Sequence, residues 1–243
     1  MSVSRRRLLA GAMTGVGLAG VAGAARLLDG LSLLPPDAGG LFGPGHALTY
    51  ATQRLITGHS MAREFPREKI SSRPFANPTA FRSDEFDAMK ADGFSQWRLD
   101  IAGMVRAPGP VSLAALRAYP PSRHVTSLAC EEGWSYIAEW MGVPLSSVLE
   151  QAGVLPGARY VVYESMEPYW KDAIDMADAL HPQTLVAYGF NGSDLPVPFG
   201  GPLRMRVPRQ LGYKSVKYLR RLTVTDTLEG HVAPGAYSWY AGI

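Results

Sequence analysis

Apolar and polar residues alternate along several short stretches of the chain, and a period of two is typical of half-buried β-strands. Trp97, Leu99 and Ile101 alternate with Arg98 and Asp100, which predicts a strand at this point. By the same reasoning or by their apolar content, further strands are predicted at residues 124–128, 160–163, 185–190, 203–207 and 216–224. The dipeptide Asn191-Gly192, which follows the stretch 185–190, predicts a hairpin turn.

Two short helices are predicted between the strands. Ser112 is a suitable N-cap for a helix that ends at Arg117. Pro144 suits the first turn of a second helix, with apolar positions 145, 148 and 149, and Gly153 stops it. Many short strands with few short helices predict a single domain of the α+β class, mainly β.

The N-terminus has the pattern of a twin-arginine export signal. Ser4-Arg5-Arg6-Arg7-Leu8-Leu9 precedes an uncharged stretch rich in glycine and alanine, from Ala10 to Ala25. We therefore expect residues 1–25 to be a signal peptide and the protein to be exported, already folded, to the periplasm. Cleavage and retention as a membrane anchor both remain open.

The rest of the chain is predicted to divide into an arm and one domain. Proline and glycine are frequent between residues 30 and 50, so residues 26–70 are expected to form an irregular N-terminal arm. Residues 71–243 are expected to form the domain, which is long enough for one sizeable core. Within it, the turn-rich stretch 71–92 is expected to loop over the surface.

Charge and cysteine content exclude several function classes. The formal net charge is +3, and three of the arginines that contribute to it belong to the predicted signal. The remaining chain is near neutral, which argues against nucleic acid as a partner. Cys-x-x-Cys, Cys-x-x-Cys-His and paired-histidine motifs are absent from the sequence, so haem c, iron–sulfur and zinc sites built by this chain alone are not expected.

Cys130 is the only cysteine, and it lies in the stretch Ala129-Cys130-Glu131-Glu132-Gly133. It cannot form an internal disulfide, so it is an inert buried thiol, a reactive thiol or a metal ligand. Folded export is typical of proteins that acquire a cofactor in the cytoplasm, and this favours the ligand interpretation. Glu131 and Glu132 either influence which substrate charge is accepted at the metal or form a solvated pair on a loop.

Several motifs in order resemble the molybdopterin-dependent sulfite oxidase family. They are Cys130 with Trp134, residues 140–145, residues 160–165, Gly200-Gly201-Pro202-Leu203-Arg204-Met205-Arg206-Val207-Pro208 and Gly212-Tyr213-Lys214-Ser215-Val216-Lys217. The sequence is most similar to the small bacterial periplasmic members, which include the methionine sulfoxide reductase catalytic subunit. The resemblance implies the sulfite oxidase-type molybdopterin-binding fold.

The resemblance also implies the cofactor, molybdenum bound to molybdopterin, and its contacts. In the family the cysteine thiolate binds the metal, which assigns Cys130 as the metal ligand and catalytic residue; a thiolate is a soft ligand that suits a redox metal. The residues at the positions of cofactor contacts are His59, Ser165, Arg204, Lys214, Ser215, Val216 and Lys217. Ser60, Arg63 and Glu64 are alternatives to His59 as contacts on the cofactor side. Without the resemblance, Arg204 and Arg206 on an alternating strand would be interpreted as a solvated sheet face.

Two departures from the family bear on the substrate. Phe199 stands where reductase relatives carry asparagine, and Thr57 is the best counterpart of the arginine that binds sulfite in sulfite oxidases. Sulfite is therefore not the expected substrate.

The resemblance implies oxygen-atom transfer on a small or protein-borne oxo substrate such as a methionine sulfoxide. Because the chain has no haem motif, electrons are expected to be exchanged with a separate partner, a membrane haem protein or a cytochrome. The alternative is a metal-free binding module that retains the family fold.

Overall fold

The computed structural model describes residues 58–77, 83–228 and 230–231, and residues 48–56 except 49 and 53. The chain divides into two compact units, Met1–His59 and Ser60–Ile243. The predicted signal peptide, residues 1–25, lies outside the described residues. The architecture below belongs to the second unit.

Strands dominate the described part of the second unit. The strands are β1 (Arg98–Gly103), β2 (Gly109–Ser112), β3 (Ser122–Ala129), β4 (Ser135–Pro144), β5 (Tyr160–Ser165), β6 (Lys171–Asp175), β7 (Leu185–Phe190), β8 (Ser193–Asp194), β9 (Arg204–Arg206) and β10 (Leu219–Thr225). The helices are α1 (Asp84–Ala91), α2 (Leu113–Arg117), α3 (Leu145–Ala152) and α4 (Met176–Ala179), and 3₁₀ turns lie at Arg67–Lys69, Val197–Phe199 and Gly212–Lys214. This is the predicted α+β, mainly β class. No helix in the described ranges is long and apolar enough to cross a membrane.

The strands form two five-stranded sheets. The first has the order β2-β1-β10-β5-β6, in which β1 and β10 are parallel and the other pairs antiparallel. The second has the order β3-β4-β7-β8, with β9 also paired to β7, and all of its pairs are antiparallel. The long β3–β4 hairpin aligns Ala129 with Ser135, so the residue after β3 lies at the hairpin end.

The second sheet is buried on both faces. One face packs with the first sheet and α3 in the main core, to which Val186 and Met205 contribute. The other face carries a separate aromatic cluster around Tyr136, Trp140 and Phe190. Successive residues of a strand point to opposite faces, so the register Ala187↔Arg204 and Leu185↔Arg206 places both arginines on the aromatic face. Residues 201–210 are all buried, and the solvated-face interpretation of these arginines is wrong.

Most predicted elements are confirmed. Ser112 caps α2, because its hydroxyl accepts a hydrogen bond from the amide of Ala115 at 3.0 Å. Gly153 ends α3 with φ 69°, a left-handed conformation that favours glycine. The predicted turn at Asn191-Gly192 joins β7 and β8, with positive φ at both residues.

Two expectations are wrong. The stretch 71–92 is not entirely a surface loop: α1 occupies its end, Ser83 caps this helix, and Phe86 is buried in the main core. The last strand begins at Leu219 rather than at residue 216, because the preceding residues follow the 3₁₀ turn Gly212–Lys214 and run beside β9. The alternating pattern of Val216 and Tyr218 comes from packing of this segment in the core rather than from a strand.

Candidate active site

Cys130 lies in the loop that joins β3 to β4. Its amide donates a hydrogen bond to the carbonyl of Trp134 at 2.9 Å, and its carbonyl accepts one from the amide of Gly133 at 3.1 Å. Gly133 has φ 91°, which the tight return of the chain requires. The loop is thus closed on itself by backbone bonds, and the thiol is held, partly exposed, at the end of a rigid hairpin.

The thiol opens into a cavity of about 390 Å³. Aromatic and charged residues together make up most of its lining. The lining residues are Phe75, Ala76, Asn77, Leu128, Cys130, Glu131, Glu132, Trp134, Tyr136, Glu167, Trp170, Phe199, Arg204, Gly212, Tyr213, Ser215 and Lys217. Three of the predicted cofactor contacts, Arg204, Ser215 and Lys217, therefore share one cavity with Cys130.

Aromatic rings line this cavity from its rim to its base. Phe75 lies 4.9 Å from Trp134, Trp134 stacks on Tyr136 at 6.0 Å, and Tyr136 meets Phe199 edge to face at 6.0 Å. Phe75 and Trp170 are about half exposed, so the aromatic surface continues to the outside. Such a wall suits an apolar or thioether group, since sulfur and aromatic rings attract one another.

Arg204 lies at the base of the cavity and is 3% exposed. Its guanidinium donates to the carbonyls of Phe199, at 2.6 Å, and of Ser215. Burial lowers the pKa of Arg204, as expected for a cation taken out of water. A buried guanidinium that holds two loop carbonyls is fixed in position before any ligand binds.

The segment that follows the Gly212–Lys214 turn contributes the second cation. The ammonium of Lys217 donates to the carbonyls of Pro198, at 2.8 Å, and Asn77, at 3.0 Å. Burial, together with the Arg204 charge, lowers the pKa of Lys217 to about 8. Glycine at two positions leaves room for close packing around this segment. A Cβ at Gly200 would lie 2.8 Å from Lys217 Cβ, and a Cβ at Gly212 would lie 3.0 Å from a methyl group of Leu128.

The other predicted contacts lie elsewhere. Lys214 is buried and bonds to Asp172 Oδ1, at 2.6 Å, and to the carbonyl of Ala173, so its ammonium is away from the cavity. The Ser165 hydroxyl accepts from the amide of Glu167, and the Val216 side chain belongs to the main core.

His59, the remaining predicted contact, belongs to the first unit and is exposed. The cofactor contacts of these four residues stay predictions. The amide of Ser215 donates to the carbonyl of Gly212 at 2.9 Å, its carbonyl accepts from Arg204, and its hydroxyl oxygen accepts from the amide of Val207 at 3.2 Å, so the hydroxyl proton is what Ser215 can offer a ligand.

The base of the site carries an excess of buried positive charge. Arg204 and Arg206 both lie over the ring of Trp140, with 5.0 Å and 5.3 Å from guanidinium carbon to ring centroid. Within the described residues, Arg206 Nε and Nη1 and Trp140 Nε1 have no hydrogen-bond partner, and neither arginine pairs with a carboxylate. Burial, with the neighbouring Arg204 charge, lowers the pKa of Arg206 to about 9. Arg206 Nη2 donates to Thr126 Oγ1, at 3.1 Å, and to the carbonyl of Ser127, and Arg206 does not line the cavity. Of the two guanidinium groups, only that of Arg204 lines the cavity, where a positively charged donor suits an anion such as the phosphate of molybdopterin.

The thiol end of the cavity has the opposite charge. Sγ of Cys130 lies 3.3 Å from Glu131 Oε2 and 3.9 Å from Glu132 Oε2. Burial, with the Glu131 carboxylate, raises the pKa of the Cys130 thiol to about 11. At neutral pH the metal-free protein therefore keeps the thiol protonated, and a metal that binds there must displace the proton. The donor set fits a soft metal held by one thiolate, with the rest of its ligands supplied by the cofactor.

Sequence reasoning missed most of the aromatic wall. Tyr136 has a sequence signal, because Tyr136 and Trp140 lie at even spacing in β4 and Trp134, just before the strand, continues that spacing. Phe75 and Trp170 come from loops that meet only in the folded chain, and nothing in their local sequence marks them. Glu167 was missed for the same reason.

Comparisons with known proteins agree with the geometry. A family model described as the oxidoreductase molybdopterin-binding domain matches residues 86–232. A putative protein-methionine-sulfoxide reductase subunit, YedZ1, of Azospira oryzae is 35% identical over 77% of this chain and 70% of its own length. The protein-methionine-sulfoxide reductase catalytic subunit MsrP of Gluconobacter oxydans is 31% identical over 65% of this chain and 60% of its own length.

A solved structure shows the same fold. The sulfane dehydrogenase SoxCD of Paracoccus pantotrophus superposes with a TM-score of 0.57 at 22% identity, over 70% of this chain and 46% of its own. The predicted sulfite oxidase-type fold is confirmed, as is the predicted molybdenum–molybdopterin cofactor, which the matched domain implies. The chain belongs to the oxidoreductase molybdopterin-binding domain family and is a molybdenum-dependent oxidoreductase.

Proposed function

We propose that this protein is a periplasmic reductase that removes the oxygen atom from methionine sulfoxide, free or within a protein. The observation that carries the proposal is the cavity itself, which joins the Cys130 thiol to an aromatic wall open at its rim. Relatives at 31–35% identity are named as methionine sulfoxide reductase subunits, which supports this substrate.

Molybdenum held by molybdopterin would supply a two-electron centre that accepts the sulfoxide oxygen. Cys130 would hold the metal, and Arg204 and Lys217 would hold the anionic end of the cofactor. The wall of Phe75, Trp134 and Tyr136 would receive the apolar arms of the sulfoxide and keep water from them. The net reaction consumes two electrons and two protons, releases one water and leaves a thioether.

A separate protein must supply the electrons. Where the structure describes the chain, no three histidine, cysteine, aspartate or glutamate side chains lie together as a second metal site would require. A membrane haem protein or a cytochrome is the proposed donor.

The half-exposed rim at Phe75 and Trp170 leaves the site open to large substrates.

The activity is tested with cofactor-loaded protein and reduced viologen dye under anaerobic conditions. We expect dye oxidation with free methionine sulfoxide and with an oxidised protein, and little sulfite oxidation with ferricyanide. Cys130→Ser should abolish turnover. Efficient sulfite oxidation without sulfoxide reduction would overturn the proposed substrate, and full loading without any oxo-transfer activity would favour a binding role.

The location is tested by fractionation. Replacing Arg5 and Arg6 by lysine should leave folded, cofactor-loaded protein in the cytoplasm, since the twin-arginine pathway requires the pair. Unchanged periplasmic accumulation of this double variant would contradict the proposed export route.

A further inference from the structure

We propose that Glu131 and Glu132 make the site select by charge, against anionic oxo compounds and in favour of sulfoxides that are neutral or carry a positive charge nearby. The inference rests on the proposed function and adds the class of sulfoxide that the same site prefers. It makes these two carboxylates specificity residues.

The two carboxylates lie beside the reacting end of the cavity. Their nearest oxygen atoms are 3.3 Å and 3.9 Å from Cys130 Sγ. Glu132 is fixed there, because Oε2 accepts a hydrogen bond from Trp134 Nε1 at 2.7 Å. A substrate whose oxygen reaches a metal on this sulfur therefore enters between or beside two negative charges.

The other charged groups of the cavity do not cancel them. Glu167 is a third carboxylate in the lining. The cations that line the cavity, Arg204 and Lys217, are bound to carbonyls of Phe199, Ser215, Asn77 and Pro198. These neutral carbonyls leave both cations charged, but three carboxylates line the cavity against two cations, and an anionic cofactor held by the cations would offset their charge. The field that a substrate meets near Cys130 is therefore negative.

The expected size of the effect is modest, because both carboxylates are largely exposed. A charged group on the substrate would lie a few ångströms beyond contact distance from the two carboxylates. In a partly aqueous cavity such charges interact weakly, and salt screens them. For substrates that differ only in charge, from −1 to +1, we expect kcat/KM to rise roughly tenfold at low salt. At about 0.5 M salt the difference should shrink to roughly twofold, because the Debye length falls to a few ångströms.

The experiment uses cofactor-loaded protein and three capped dipeptides in which aspartate, asparagine or lysine precedes methionine sulfoxide. Steady-state kcat/KM is measured with reduced viologen, and dissociation constants are measured without reductant by isothermal titration calorimetry. The ratio between substrates is the readout, so differences in cofactor loading between preparations cancel in kcat/KM.

Matched variants separate charge from structure. Glu131→Gln and the double variant with Glu132→Gln remove charge and keep shape, and glutamine still offers Trp134 an acceptor. We expect the gradient to fall to roughly threefold in the single variant and to disappear in the double variant. Glu150→Gln, on the exposed face of α3 and outside the cavity, should keep the wild-type gradient.

Each outcome decides the inference. Equal kcat/KM and equal dissociation constants for the three dipeptides in the wild type would overturn it and leave the proposed function standing. A gradient that survives in the double variant would also overturn it, because other groups would then set the preference. Reduction of none of the dipeptides would overturn the proposed function, and the inference with it.

Discussion

Replacing Arg204 with methionine should weaken both the fold and the retention of the cofactor. The guanidinium donates to the buried carbonyls of Phe199 and Ser215, and it also packs on Trp140. Hydrogen bonds from a charged donor contribute about 1.5–3 kcal/mol each. Methionine keeps the apolar stem but leaves both carbonyls unpaired. Burial of the Arg204 cation is itself unfavourable, as its lowered pKa indicates, so removing the charge recovers part of the lost hydrogen-bond energy. We therefore expect a loss of about 2–4 kcal/mol in the free energy of unfolding.

The same substitution removes the charge-assisted bond that we propose Arg204 makes to the anionic end of the cofactor. At about 1.5–3 kcal/mol, that loss corresponds to roughly 10- to 150-fold weaker cofactor binding. Stability is measured by urea unfolding of the metal-free protein. Retention is measured as molybdenum per folded protein after gel filtration, so that unfolded material does not enter the ratio.

Two controls separate stability from binding. Leu149→Ala removes a buried side chain from α3, outside the cavity, and should cost about 2–5 kcal/mol with full loading of the folded fraction. Arg220→Met breaks a surface pair with Glu85 and should change stability by less than about 1 kcal/mol. The reasoning is refuted if Arg204→Met unfolds within 1 kcal/mol of the wild type, or if its folded fraction holds as much molybdenum as that of Leu149→Ala.

Three further predictions concern the metal ligand, the second cation and the buried ion pair. Cys130→Ser should leave urea unfolding of the metal-free protein almost unchanged while the visible spectrum of the metal and turnover are lost, and a wild-type spectrum would contradict the ligand assignment. Because Lys217 holds its proton only below a pKa of about 8, binding of pyrophosphate to the metal-free protein should weaken as the pH rises through about 8, whereas Lys217→Arg should not show this fall around pH 8; calorimetry at several pH values decides. Asp172→Asn should cost about 3–5 kcal/mol in unfolding because it removes the carboxylate that forms an ion pair with the buried Lys214 ammonium, and adding Lys214→Met should restore much of that loss; a double variant no more stable than Asp172→Asn would show that the pair is not coupled.

Local sequence determined the elements whose signals are local. The capping of α2 by Ser112 and the end of α3 at Gly153 depend on side-chain and backbone preferences within one turn, so they could be predicted. Helix α1 could not, because Phe86 is its one buried residue and its amphipathic pattern is weak. The rings that pack on Phe86 are those of Trp97, on the next element, and Tyr218, far along the chain.

For the candidate site, the sequence marked the residue types and their order, and the tertiary structure decided which of them meet. Cys130 and Arg204 could be chosen from spacing and family resemblance, and the fold brings both to one cavity. Lys214 and Lys217 look alike in the sequence, yet Lys214 pairs with Asp172 on β6 while Lys217 faces the cavity. The difference depends on which strand each side chain meets after a 3₁₀ turn, which is a long-range property.

The sequence by itself therefore determined the strand-rich class, the lone thiol just after a strand and, through the family resemblance, the basic residues available for an anion. Only the tertiary structure decided that Arg204 and Arg206 are buried over Trp140, that carboxylates stand at the thiol, and that loop aromatics such as Phe75 complete the wall. The physical reason is that periodicity reports which face of an element is apolar, whereas burial of a charge depends on what packs against that face. Here β9 lies with its arginines on the aromatic side of a sheet that is buried on both faces, and that arrangement buries both cations while only Arg204 lines the cavity.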